Sequence, residues 1–164
     1  MTGNATFDAM PGHTRLWIYK IGRALNQPEV EMIRTKGAAF VSTWVAHGQA
    51  MQAHVEVSHG RLVIIAADEQ VANATGCSID SSVAFIKGLE KELETTLTDR
   101  MLLIYESKDG QVRSCTLQQL ADLAKQGIVT EDTIMFDDLV TTKADFDVRF
   151  KVLLKDSWAA KFLS

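Results

Sequence analysis

The residues best equipped for chemistry lie in two stretches, Trp44-Val45-Ala46-His47-Gly48 and the run from Asp68-Glu69 through Asn73 to Gly76-Cys77-Ser78-Ile79-Asp80-Ser81-Ser82. They supply an imidazole, a thiol, carboxylates and hydroxyls, the groups from which nucleophilic and acid–base sites are built. Cys77 falls at the start of a predicted helix, where exposed N–H groups and the helix dipole favour a thiolate. In the plainer reading it is a small buried hydrophobe beside Gly76. His47 is a candidate base toward Cys77, or a metal ligand together with Asp68, Glu69 and Cys77. The spacing from 47 to 77 matches no standard ligand pattern, so no metal is expected and a loop histidine held by backbone groups is the simpler assignment. Ser78, Asp80, Ser81 and Ser82 are the residue types that helix caps and first turns select. Their backbone donors also suit a phosphate or carboxylate, which Asp80 would repel.

Trp44 and Trp158 each fall on an apolar helical stripe and are expected as core anchors. The adjacent acids Asp68-Glu69 and Asp137-Asp138 resemble general acid/base pairs, yet neighbours on a strand point to opposite sides. They are expected as solvated loop acids. The candidate binding site is therefore Trp44, His47, Asp68, Glu69, Cys77, Ser78, Asp80 and Ser81, with no catalytic role assigned and no cofactor expected.

The surrounding elements must position these groups. Leu16-Trp17-Ile18-Tyr19 is short and continuously apolar, which suits a central strand. Asn26-Gln27-Pro28-Glu29 reads as a capping box with proline in the first turn, opening a helix to about Val45 whose inward face is Val30, Ile33, Gly37, Phe40, Val41 and Trp44. Residues 51–57 alternate as a strand with one wet face, carrying Gln52, His54 and Glu56. Ser58-His59-Gly60 turns it into the buried strand Leu62 to Ala66. After a polar loop, Ser78 or Asp80 is expected to cap a helix with the stripe Val83, Ile86, Leu89, Leu93 and Leu97. Met101 to Tyr105 gives a further strand, ending near Glu106. This β-α-β-β-α-β order is that of the ferredoxin-like split βαβ arrangement, an α+β fold. In that topology the turn carrying His47, the loop carrying Cys77 and the strand end at Glu106 share one end of the sheet.

Beyond it, Lys108-Asp109-Gly110-Gln111 turns the chain into a strand at Val112 to Cys115. A helix from Thr116, with Gln119 as box partner, stops at Gly127. A short strand at Ile134 to Phe136 and one or two short helices ending in Ser157 to Phe162 complete a C-terminal extension. The expected organisation is a mobile tail over 1–13 and one domain over 14–164, with its core in 15–106 and its extension in 107–164.

Composition narrows the function. The formal net charge is −4 and the cations are scattered, so no basic stripe for nucleic acid exists. There is no apolar run of membrane-spanning length, and the first dozen residues lack a secretory pattern. The two cysteines, Cys77 and Cys115, form no C-x-x-C and predict reduced thiols in the cytoplasm. G-x-x-x-x-G-K-[ST], G-x-G-x-x-G, G-x-S-x-G and H-E-x-x-H are all missing from the sequence.

The runs Trp44-Val45-Ala46-His47-Gly48, Asp68-Glu69, Gly76 to Ser82 and Lys155-Asp156-Ser157-Trp158 resemble a family of small bacterial proteins labelled "ABC transporter ATPase", over nearly the whole chain from Trp17 to Phe162. An ABC ATPase needs a phosphate-cradling glycine loop with its lysine, a magnesium-binding acid after a strand and a chain well over this length, and neither Gly110 nor Gly127 offers such a loop. ATPase activity is not expected, and the resemblance assigns no catalytic residue. What remains is a binding or interaction module with a polar site at one end of the sheet, its expected partner a small molecule, another protein, or a second copy forming a homodimer through an open sheet face. The alternative is a thiol- or small-anion-dependent enzyme using Cys77 and His47.

Overall fold

The computed structural model describes residues 7–70 and 73–163. In chain order the strands and α-helices are β1 (Arg15–Lys20), α1 (Gln27–Thr43), β2 (Val45–Ala46), β3 (Gln49–Ala50), β4 (Gln52–Ser58), β5 (Leu62–Asp68), α2 (Gly76–Leu93), β6 (Leu102–Glu106), β7 (Val112–Thr116), α3 (Leu117–Lys125), β8 (Ile134–Phe136), α4 (Lys143–Arg149) and β9 (Lys151–Leu153).

The apolar run of β5 lies at the centre of an antiparallel sheet ordered β1-β5-β4. One face of it, Val63, Ile65 and Ala67 with Val55 and Val57 of β4, packs under Val30 and Ile33 of α1 and Ile86, Leu89 and Leu93 of α2. The other face is covered as well. Leu62 meets Leu102, Ile104, Phe136 and Phe150, while Leu16, Ile64 and Ala66 enclose Phe7. The face expected to stay open for a second copy is thus filled by the C-terminal half and by Phe7. The packed region reaches back into the segment expected as a tail; residues 1–6 lie outside the described residues.

The chain order β-α-β-β-α-β is present, but β6 does not join the first sheet. It pairs with β7 and β8 in a second sheet ordered β7-β6-β8-β9. Strand alternation explains how it serves two cores: Leu102 and Ile104 face the first sheet, whereas Leu103 and Tyr105 face Leu117, Leu120, Met135 and Leu154. The layers are helices, sheet, sheet, and then α3 with the C-terminal turns. The three residues of β9 carry too little pattern to be read as a strand in advance.

Capping holds the helices where expected, with one shift. Asn26 and Glu29 form the anticipated box on α1, through a Glu29 N–H to Asn26 Oδ1 bond of 2.9 Å and an Asn26 N–H to Glu29 Oε1 bond of 3.0 Å. Thr116 and Gln119 do the same for α3. On α2 the cap is Thr75, with Ser78 as its partner, rather than Ser78 or Asp80. The helical repeat sets Ser78 and Ser82 inward in line with Ile86, Leu89 and Leu93, and leaves Val83 38% exposed. Val83 lies one residue, about 100° of helix, off the stripe.

Candidate functional site

Four of the eight expected residues converge. Trp44, at the end of α1, is buried, and its indole N–H donates to the Ser78 carbonyl at 2.8 Å. Beside this link, a cleft of about 570 Å³ is lined by Phe40, Trp44, Val45, Cys77, Ser78, Ser81 and Phe85, among others. Its aromatic wall is ordered: Phe40 stacks on Phe85 with centroids 4.7 Å apart, and Trp44 lies 5.0 Å from Phe40. Cys77 is exposed, which overturns its reading as a buried hydrophobe.

The hydroxyls near the thiol are engaged locally. Ser78 Oγ accepts from Thr75 N–H at 2.7 Å, Ser81 Oγ donates to the Cys77 carbonyl at 3.0 Å and Ser82 Oγ donates to Ile79 at 2.7 Å. Each serves the helix, as its residue type suggested.

The other four do not line this cleft. His47 and Gly48 occupy the turn between β2 and β3 with φ of 54° and 75°, the pair of left-handed residues a tight hairpin demands. His47 is exposed, and its ring makes no hydrogen bond with Cys77. Asp68 accepts from His13 Nε2 at 2.6 Å and from Gln70 N–H at 3.0 Å. The His13 bond, foremost, holds its carboxyl below the ordinary aspartate range. Glu69 accepts from Ala74 N–H at 2.8 Å and sits 3.6 Å from Arg15. Asp80 is exposed on α2. Among the described residues, no three His, Cys, Asp or Glu side chains gather closely enough to hold a metal, so the metal-ligand reading of His47, Asp68, Glu69 and Cys77 has no geometry behind it.

A second cleft, of about 580 Å³, was not legible in the sequence. It lies where the end of β1 meets residues 97–100, Asp138 and Trp158. Lys20 is 5% exposed. Its ammonium donates to the Leu102 carbonyl, lies 3.2 Å from Asp138 Oδ2 and sits 5.3 Å from the Trp158 ring centroid. Trp158 Nε1 donates to the other Asp138 oxygen at 3.1 Å. Each Asp138 oxygen therefore has a donor, as a carboxylate drawn out of water requires. Asp137 is buried as well, its Oδ1 accepting Leu139 N–H at 2.9 Å. Both acids depart from the expected solvated state, because the turn after β8 folds under Trp158 and beside β1. Trp158 is half-buried and packs against the core as a cleft wall. The single signal in the sequence was the alternation that places Lys20 on the inner face with Ile18.

Comparison with protein-family models, curated proteins and solved structures found no match. Among the described residues, no helix is long and apolar enough to cross a membrane.

Proposed function

We propose that the chain is a binding or interaction module that recognises an apolar group in the cleft between the ends of α1 and α2. The observation that carries this reading is the composition of the cleft. It unites Trp44, Cys77, Ser78 and Ser81 with the stacked Phe40 and Phe85, while His47, Asp68, Glu69 and Asp80 stay outside its lining. Ligand sites are typically concave and mostly apolar with few polar groups, and this one fits that description. A fluorine NMR titration with trifluoromethyl-substituted benzenes tests it. Fragment lines broaden with the wild-type chain and stay sharp with Cys77→Trp, which fills the cleft from an exposed position. Equal broadening in both proteins would sink the proposal.

The alternative, a thiol enzyme, draws support from one feature: Cys77 is exposed at the second residue of α2. Iodoacetamide alkylation across pH, in a Cys115→Ala background, separates the two readings. A profile unchanged by His47→Ala fits the binding module; a rate that falls with His47→Ala favours the enzyme.

The two free cysteines support a reducing, cytoplasmic setting. The β1-β5-β4 order beneath two helices supports kinship with the ferredoxin-like arrangement, in which the strand equivalent to β6 lies beside β1. Membership of the family labelled "ABC transporter ATPase" rests on the sequence runs alone, and nucleotide hydrolysis is no part of the proposal.

A further inference from the structure

β1 is an edge strand of its sheet, with β5 on one side only. Ile21 N–H bonds to Arg61 C=O at 2.8 Å, in the register that pairs Lys20 with Leu62 and Ile18 with Ile64. Hydrogen-bonded pairs alternate with non-bonded pairs along an antiparallel ladder. Trp17 and Tyr19 therefore spend their main-chain groups on β5, and Leu16, Ile18 and Lys20 aim theirs outward. The bonds at either end agree with this phase. Leu16 N–H reaches Thr141 C=O at 2.9 Å, and Gly22 N–H reaches Thr96 C=O at 3.0 Å.

Between those closures, the outward N–H and C=O groups of Ile18 and Lys20 have no hydrogen-bond partner among the described residues. These residues front the Lys20 cleft. Lys20 is buried and Ile18 half-buried, and buried main-chain groups are nearly always paired. The ligand that presents donors and acceptors at the matching repeat, about 6.6 Å for every second residue, is an extended polypeptide. The ends closed by Thr141 and Thr96 limit the seated segment to about three residues, or roughly 10 Å.

The walls add selectivity. Trp158, Leu97 and the 59% exposed Leu139 offer apolar contact. Lys20 and Asp138 neutralise each other, and Asp99 turns one oxygen onto Met101 N–H at 2.9 Å. Arg100 is exposed at the mouth and makes no ion pair among the described residues. We propose that this cleft takes a short extended peptide segment as an added strand on the outer edge of β1, with an acidic side chain facing Arg100. The site is separate from the cleft beside Cys77.

Capped pentapeptides of the form X-Asp-X-Asp-X, with X as Val, Leu, Ile or Phe, titrated into the nitrogen-15-labelled full chain, test the assignment. At least one peptide shifts the Ile18 and Lys20 amide resonances downfield and slows their hydrogen exchange about tenfold or more, equally in Cys77→Trp. N-methylation of one alternate set of its amides abolishes binding and methylation of the other set does not, because an added strand bonds along one edge. Arg100→Glu weakens the acidic peptide about tenfold, the effect of about 1.4 kcal/mol, and favours a lysine counterpart. The proposal is overturned if the Ile18 and Lys20 amides ignore millimolar peptide. It is equally overturned if both N-methyl isomers bind like the parent, or if those two amides are already slow to exchange without peptide.

Discussion

The Trp44 indole donates to the Ser78 carbonyl at 2.8 Å, tying the end of α1 to the first turn of α2 across 34 residues of sequence. The ring also lies 6.1 Å from Trp17 and 5.0 Å from Phe40, so one side chain supports both the cleft and the helix-side core.

Trp44→Phe keeps an aromatic ring but removes the donor and part of the ring volume. It should destabilise the fold by about 1–3 kcal/mol. Urea denaturation measures this, and a change under about 0.5 kcal/mol, the range typical of surface substitutions, would mean the link carries no weight.

A glycine-to-alanine change inside a helix ordinarily stabilises by about 1 kcal/mol. Gly37 reverses that sign, because an added Cβ would stand 2.6 Å from Val55 Cβ on β4. Gly37→Ala should cost about 1–3 kcal/mol by overpacking. Gly88 has open space around the same position, so Gly88→Ala should stabilise, and thermal unfolding of the two variants should move in opposite directions.

The cap of α2 distinguishes three neighbouring residues. Thr75→Ala should cost about 1 kcal/mol. Ser78→Ala loses the reciprocal half of the box and should also destabilise, whereas Asp80→Ala on the exposed side should stay within about 0.5 kcal/mol. Chemical denaturation of the three variants ranks them. A larger loss at Asp80 than at Thr75 would place the helix start elsewhere.

Acid should weaken the anchor at the start of α1. The hydrogen bond from Arg23, aided by Asn26 N–H, lowers the Glu29 carboxyl from its ordinary 4.5 to about 2. A depressed carboxyl stabilises fully above its unfolded value and loses that contribution as the pH falls toward the folded one. Wild-type and Glu29→Gln midpoints in urea should therefore differ most above pH 4.5 and converge near pH 2. A gap that widens on acidification would reverse the assignment. Arg23 and Glu29 are surface groups, so added salt should shrink the gap at neutral pH.

Local chemistry made much of this legible in advance. Asn26 to Glu29 and Thr116 to Gln119 announced their helices because a capping box is complete within four residues. The runs of β5 and β6 announced buried strands because both their faces are covered, whereas β1, expected as a central strand, lies at the edge of its sheet with Trp17, Ile18 and Tyr19 only half-buried, because β6 pairs elsewhere. The stripe of α2 was misread at its first position because Val83 is apolar and Ser82 is not, although it is Ser82 that lies in phase with Ile86, Leu89 and Leu93. In the candidate site, Trp44 and Cys77 were rightly placed together, since their turns lie at one end of the sheet. His47, Asp68 and Glu69 were placed with them by residue type alone, and their side chains go elsewhere.

The sequence by itself determined the longer helices and strands, the caps of α1 and α3, and that Lys20 shares a face with Ile18, because propensity, capping and alternation act within a few residues. Tertiary structure alone decided which sheet received β6. A strand apolar on both faces satisfies its burial equally well beside β1 or between β7 and β8, and only the competition among distant partners selects one. That choice left the outer edge of β1 without a partner among the described residues at Ile18 and Lys20, covered the sheet face expected to stay open, and brought Lys20, Asp138 and Trp158 together from three separate parts of the chain.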